Sequence, residues 1–252
     1  MHSGPAPCRR PVLTTVVDMQ IQTRHNPSFT VGRMFLAPGE SVRVQSGAMI
    51  AHSAGVALAA KIEGGLMAGL RRSVLGGESL FVSTYTAPAE GGWVDVAGVL
   101  PGDIAVVDIT PDRPFYLARG NWIANSAEVQ IDTQWGGRAS LFGGEGGFGI
   151  RASGAGQALV SCYGAIDVFD LQPGQPVVVD TGHVVAYDLN ISFRMRRAVE
   201  GRSVQSMKSG EGFVFDFTGP GRVLLQTRNP ASFAEWARSV APGNNPKSGL
   251  FG

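Results

Sequence analysis

A short pattern of proline, glycine and alanine occurs three times in this chain and constrains its fold more than any other feature. In each copy eight residues separate the proline from the glycine, and three separate the glycine from the alanine. The copies are Pro38, Gly47 and Ala51; Pro111, Gly120 and Ala124; and Pro173, Gly182 and Ala186. Apolar residues flank each proline at a spacing of two, which is typical of a strand with one buried face. The pattern predicts one β unit used three times.

Turn residues divide the chain into the same three units. Pro38-Gly39 and Pro173-Gly174 suit type II turns, whereas Pro111-Asp112 suits type I. The shared glycine predicts a bulge or a close backbone approach within a strand. We expect units at 19–98, 99–164 and 165–229 in a single all-β domain that is β-helix-like or sandwich-like, with pseudo-threefold symmetry.

The two ends of the chain lack this strand pattern. Residues 1–18 are expected to form a flexible extension, and residues 241–252 a flexible tail. Between the last unit and the tail, 232–240 is predicted to be a helix, with Ser232 as N-cap and Glu235 completing a capping box. The first 18 residues contain no secretory hydrophobic segment, and no stretch has the roughly 20 apolar residues of a membrane span. We therefore expect a cytoplasmic protein.

Composition argues against several functions. The 252 residues include 21 basic and 20 acidic side chains, giving a net charge of +1, so we expect no nucleic-acid partner. Two cysteines provide no disulfide framework, and Cys162 lies in an apolar strand pattern that predicts a buried thiol. There is no His-x-His pair, no Gly-x-Ser-x-Gly motif and no phosphate-binding loop. We predict no catalytic residues, no cofactor and no enzymatic activity.

Two groups of residues are candidate sites. A Gly-Glu pair recurs at Glu78, Glu145 and Glu211, and three converging carboxylates could bind a hard cation. The alternative, which we favour, is that each glutamate orders its own glycine-rich turn. Unit one also contains an inserted segment that combines apolar and basic residues: Leu66, Met67, Leu70, Arg71 and Arg72. This excursion from the strand pattern could contact an anionic membrane surface or a partner protein. Alternatively, it could fold back onto the β domain.

Several longer segments together resemble a known family. They are FLAPGESVRVQSGAMIAHS (35–53), SVLGGESLFVSTYT (73–86), SLFGGEGGFGI (140–150), DLQPGQPVVVDTGHVVAYD (170–188) and FTGPGRVLLQTRNPASFAEWA (217–237). The set resembles the bacterial branch of the family of the mitochondrial biogenesis protein called altered inheritance of mitochondria, member twenty-four. The resemblance covers residues 19–240 and implies a fold similar to the tryptophan RNA-binding attenuator protein, with no established enzymatic activity. Mitochondrial members are associated with inner-membrane organisation. The chain departs from the family pattern at Gly146-Gly147 and in its leader.

These observations predict a non-catalytic β scaffold or protein-interaction module that self-associates as a homo-oligomer. Contact with a membrane surface is a further expectation, based on the basic excursion. The alternative is a small-molecule-binding or metal-binding protein, or an enzyme, with a cleft between units. RNA binding is a third hypothesis, which follows from the fold resemblance alone.

Overall fold

The computed structural model describes residues 19–61, 82–132, 149–198 and 212–241. Within these ranges the chain forms 19 strands, a 3-10 turn at Thr181–His183 and a helix, α1 (Pro230–Val240). The strands up to the end of unit one are β1 (Gln20–Arg24), β2 (Val31–Leu36), β3 (Ser41–Gln45), β4 (Met49–His52), β5 (Ala57–Lys61), β6 (Val82–Thr86) and β7 (Gly92–Val96). Unit two contains β8 (Ile104–Ile109), β9 (Phe115–Leu117), β10 (Trp122–Ser126), β11 (Gln130–Asp132), β12 (Ile150–Ser153) and β13 (Gly156–Ser161). Unit three contains β14 (Ile166–Leu171), β15 (Pro176–Asp180), β16 (Val184–Asp188), β17 (Ser192–Arg197), β18 (Phe213–Thr218) and β19 (Gly221–Gln226). The predicted all-β fold is confirmed.

The strands form four antiparallel sheets, which we number in chain order. Sheet 1 has the order β1-β2-β7-β4, and sheet 2 the order β5-β6-β3-β10-β13-β8. Sheet 3 has the order β11-β12-β9-β16-β19-β14, and sheet 4 the order β15-β18-β17. The two inner sheets therefore have six strands each, whereas the outer sheets have four and three.

Each predicted unit contributes six strands to these sheets by one pairing scheme. In unit one, β7 lies between β2 and β4, and β6 lies between β5 and β3. The corresponding strands of units two and three are paired in the same order. β1 is additional and extends sheet 1 beyond β2. An approximate threefold axis relating the units stays a prediction.

The hydrophobic core lies between successive sheets in three clusters. Sheets 1 and 2 enclose the first cluster, sheets 2 and 3 the second, and sheets 3 and 4 the third. β13 shows how an inner sheet serves two clusters, because Leu159 packs into the first while Ala158 and Val160 pack into the second. Such strands are buried on both faces, which explains their nearly continuous apolar sequence.

The predicted turns are confirmed. Gly39 and Gly174 both have φ of +75°, as the third residue of a type II turn requires, and each turn is closed by a backbone hydrogen bond of 2.9–3.0 Å. The turn at Pro111 is closed by the amide of Arg113 donating to the carbonyl of Thr110 over 3.0 Å.

The shared glycine lies outside the strands, which corrects the prediction that it interrupts one. Gly47 and Gly120 lie in the turns before β4 and β10, with φ of +89° and +85°. Gly182 lies in the 3-10 turn, where the side-chain amide of Asn229 occupies the space that a Cβ would need. The bulge itself comes between the glycine and the alanine in all three units, at residues 49–51, 122–124 and 184–186.

The predicted C-terminal helix exists, but it begins earlier than expected. α1 begins at Pro230, because the side chain of Asn229 accepts a hydrogen bond of 2.9 Å from the amide of Ala231 and serves as the N-cap. The predicted cap, Ser232, lies within the first turn. Proline is well suited to the first helical position, since the amide hydrogen that it lacks would have no partner there.

Candidate functional site

The side chains singled out from the sequence as candidate sites lie outside the described residues. Glu78, Glu145 and Glu211 are in that part of the chain, and so is the excursion at 66–72. Their convergence and their contact with a membrane stay predictions. Among the residues that the structure does describe, no three His, Cys, Asp or Glu side chains form a group that could hold a metal ion. Over the same ranges, no helix has the length and apolar character needed to cross a bilayer.

Three chemically versatile side chains in the described ranges, those of Cys162, His183 and His52, have structural partners. Cys162 is buried and free, as predicted, and its thiol donates to the carbonyl of Gly164 over 3.1 Å. Burial raises the pKa of Cys162 to about 11, so the thiol is a poor nucleophile at neutral pH. The Nδ1 atom of His183 donates to the carbonyl of Gln226 over 2.7 Å, and that of His52 donates to the carbonyl of Ser53 over 2.9 Å.

Adjacent units are joined by direct strand pairing. β3 pairs with β10 to join units one and two, and β9 pairs with β16 to join units two and three. The register is the same at both junctions, with Ala124 opposite Val44 and Ala186 opposite Leu117. Both alanines belong to the repeated pattern, and the residues opposite them lie six positions after a repeated proline. The shared alanine therefore marks the strand through which a unit joins its predecessor.

The first and the last unit each have one such strand without a partner. β4 carries Ala51, the shared alanine of unit one, and in the described ranges no strand pairs with its outer edge. β15 carries Val179, six positions after Pro173, and its outer edge is equally unpaired among those residues. Sheets 1 and 4 are thus two incomplete halves of the six-stranded arrangement seen in sheets 2 and 3. We call these two strands the open edges.

Each open edge carries an apolar side chain that is more than half exposed. Ile50 lies at the bulge of unit one and is 53% exposed, whereas Ile123 and Val185 at the same position of units two and three are 1% and 0% exposed. On β15, Val178 is 57% exposed. An exposed strand edge with apolar side chains is a surface that favours pairing with another strand.

The outer face of sheet 1 carries a cluster of ion pairs. Asp95 on β7 is buried there and accepts hydrogen bonds from Arg24 and Arg33, with shortest distances of 2.6 and 2.8 Å. The guanidinium of Arg33 also lies 3.8 Å from the ring centroid of Trp93. Burial by itself raises the pKa of Asp95, but the hydrogen bonds from the two arginines outweigh it and hold the pKa at about 2. This ion-pair cluster places charged side chains on the outer face of sheet 1.

Sequence reasoning missed both Asp95 and the open edges. Counting from the glycine that begins the last strand of each unit, Asp95 takes the place of Leu159 and Leu224, which are core residues. This substitution of a charge for a leucine was a signal available in the sequence. No comparable signal marks Ile50, because the sequence there resembles those of the two buried counterparts.

Fold and edges together define the class. It is an all-β protein of stacked antiparallel sheets in which neighbouring units share sheets, and β4 and β15 have no partner on their outer edges among the described residues. The comparison with family models agrees with this class. The chain belongs to the family described as Mitochondrial biogenesis AIM24, whose model matches residues 21–228. This confirms the family resemblance seen in the sequence motifs.

Two streptococcal proteins are similar to this chain. An uncharacterized protein of Streptococcus pyogenes serotype M6 is 29% identical over 233 residues, which cover 89% of this chain and 92% of that protein. An X-ray crystal structure of a Streptococcus pyogenes protein matches with a TM-score of 0.72 and 27% identity, covering 88% of this chain and all of that one. The fold is therefore shared with a bacterial protein of known structure.

Proposed function

We propose that the protein is a non-catalytic β scaffold whose role is to associate with further copies of itself. The observation that carries the proposal is the pair of open edges, where sheets 1 and 4 end as halves of the six-stranded pattern. Exposed apolar side chains on both halves, Ile50 and Val178, add a hydrophobic contribution to strand pairing.

The surroundings of the candidate reactive groups support a non-catalytic role. The Cys162 thiol is buried with a raised pKa, and the Nδ1 atoms of His52 and His183 are engaged by backbone carbonyls. Buried polar side chains such as Asn125 are also used structurally, since its amide donates to the carbonyls of Ser126 and Val129. A small-molecule-binding, metal-binding or enzymatic role gains no specific observation from the described residues.

Contact with a membrane surface is a separate part of the proposal. It depends on the basic and apolar excursion at 66–72, which lies outside the described ranges. Sedimentation with anionic vesicles, compared between the native chain and an Arg71→Glu, Arg72→Glu variant, would test it directly. We expect the two substitutions to reduce binding, because each removes an attraction of about 1 kcal/mol to the anionic surface.

Self-association is tested by measuring native mass over a wide concentration range. We expect masses at multiples of the 26.5 kDa chain, with the larger species increasing as the concentration rises. A particle that stays at the mass of one chain from nanomolar to high micromolar concentration would refute the proposal.

A further inference from the structure

We infer that copies of the chain join head to tail, with β4 of one copy pairing antiparallel with β15 of the next. This inference rests on the proposed self-association. The pairing would complete a composite sheet from sheet 4 of one copy and sheet 1 of its neighbour. The occupant of each open edge is then a second copy of this chain, because the missing half-sheet is the one that the chain itself carries at its other end.

The two internal junctions serve as templates for this contact. Strands β4, β10 and β16 occupy the same place in their units, each between the shared glycine and alanine and each with a bulge at the same position. Strands β3, β9 and β15 likewise follow the three repeated prolines. Two of these pairs form within the chain, β3 with β10 and β9 with β16, which leaves β15 and β4 as the remaining pair.

The template also provides the register. Ala124 and Ala186 lie opposite Val44 and Leu117, so the corresponding residues at the open edges are Ala51 and Val179. The next two pairs of the observed ladders then correspond to His52 opposite Val178 and Ser53 opposite Val177. Because a slip of one residue would turn the buried side chains of both strands outward, the register is strongly determined.

Backbone groups at the junction of units two and three show which donors and acceptors the contact uses. The amide of Ala118 donates to the carbonyl of Val185 over 2.8 Å. The amide of Leu189 donates to the carbonyl of Pro114 over 2.9 Å. Residues two apart on a strand direct their backbone groups to the same side. The amide of Tyr116, midway between Pro114 and Ala118, therefore also faces β16.

The open edges offer the matching groups. By position, the amide of Asp180 corresponds to that of Ala118, and the carbonyl of Ile50 to that of Val185. The amide of Ala54 and the carbonyl of Pro176 form the second matching pair. Pro176 has the same place as Pro114, where a proline donates nothing and its carbonyl alone is used. The edge proline is therefore compatible with pairing.

Side-chain exposure fits this geometry. In the internal junctions every residue of β10 and β16 is buried, whereas no residue of β4 is. Ile50 is the clearest case, since it is half-exposed at a position that is buried twice elsewhere in the chain. Joining a second copy at β4 would bury Ile50 as the preceding unit buries Ile123 and Val185, which lie in core clusters formed with that unit.

A head-to-tail contact joins two different surfaces, so it predicts a polar chain of subunits that ends only by closing into a ring. A symmetric dimer would instead pair β4 with β4, or β15 with β15. Disulfide formation between single-cysteine variants separates these cases. The background carries Cys8→Ser and keeps Cys162, which is buried and unreactive at neutral pH.

The first experiment mixes a His52→Cys chain with a Val178→Cys chain under mild oxidation. We expect a disulfide-linked dimer in the mixture and none from either variant alone, because residues directly opposite in antiparallel strands have Cα atoms within disulfide range. The control mixes His52→Cys with Pro176→Cys, which is two residues out of register and on the order of 8 Å apart, too far to link.

Three outcomes would overturn the inference. Links within a single-cysteine variant would show a symmetric contact. Equal linking of the off-register control would show that the edges meet without the stated register. A chain carrying both cysteines that links only to itself, as a monomer, would show that β15 closes onto β4 of the same molecule.

A second variant tests the edge without cysteines. By the template, in which Tyr116 holds the equivalent place, the amide of Val178 faces away from β18. Val178→Pro is therefore expected to retain the fold while the edge loses its central donor. We expect at least a tenfold weaker association, with an unchanged circular dichroism spectrum, whereas Val178→Thr keeps the donor and associates as the native chain does. If Val178→Pro still assembles normally while the native mass shows oligomers, self-association stands and the β4–β15 contact is wrong.

Discussion

The ion-pair cluster at Asp95 gives a quantitative prediction about stability and its pH dependence. The Asp95 side chain is only 3% exposed and is held by two arginines on the outer face of sheet 1. A carboxyl whose pKa falls from 3.8 to about 2 on folding contributes roughly 2.5 kcal/mol at neutral pH. Asp95→Asn is therefore expected to lower the free energy of unfolding by about 2–3 kcal/mol at pH 7.

The pH dependence follows from the direction of the pKa change. The folded-state pKa lies below the unfolded-state value, so the contribution is complete above about pH 5 and decreases as the pH falls through 4 towards 2. About half of it remains at pH 3. The difference in stability between native chain and Asp95→Asn should shrink accordingly.

Urea unfolding followed by tryptophan fluorescence at pH 7, 5, 3.5 and 3 measures this difference. Trp93 lies beside Arg33 and reports on the cluster itself. Asp170→Asn is the matched control, because Asp170 forms an equally short bidentate pair with Arg222 but is 58% exposed. An exposed pair contributes at most about 1 kcal/mol. A loss at Asp95 below about 0.5 kcal/mol, or one equal at pH 7 and pH 3, would refute the reasoning.

Three further predictions concern the core and the backbone. In a Cys8→Ser background, Cys162 should resist a thiol reagent at pH 8 in the folded protein and react fully in urea, and rapid labelling without denaturant would contradict its burial. Leu159→Ala should lower the free energy of unfolding by about 2–5 kcal/mol in chemical denaturation, whereas Leu58→Ala at a half-exposed site should change it by about 0.5 kcal/mol or less. Gly102→Ala should strongly lower the melting temperature, because a Cβ there would collide with the carbonyl of Cys162. Gly212→Ala is the control, since a Cβ at Gly212 has open space around it. Equal melting temperatures for the two variants would contradict this account.

Turns and strand periodicity were predictable because they depend on neighbouring residues. The type II turns follow from Pro-Gly pairs, and the strands after them follow from the alternation that continues through Val42 and Val44. The prediction for the shared glycine was less accurate, because a positive φ suits a turn as well as a bulge. Only hydrogen-bond registers place the bulge two residues further along.

The helix start illustrates a competition between two local signals. Ser232 and Glu235 fit a capping box, but Asn229 followed by Pro230 also fits a helix start, and the structure uses the latter. Asn229 is additionally fixed from the other side, since its side-chain amide packs against Gly182. This contact joins residues 47 positions apart in the chain and could not be read from either segment alone.

The sequence by itself determined the all-β character and the turns at the prolines of the repeated pattern, because hydrophobic alternation and turn chemistry act over a few residues. Tertiary structure alone decided which side chains are covered: Ile123 and Val185 pack in the core clusters between successive sheets, while Ile50, with the same local sequence character, is left half-exposed. Burial depends on what packs against a strand as well as on what the strand contains. The same holds for Asp95, which lies where the other units have leucine. Its buried carboxylate is stabilised because the fold brings one arginine from β1 and one from β2 within hydrogen-bond distance.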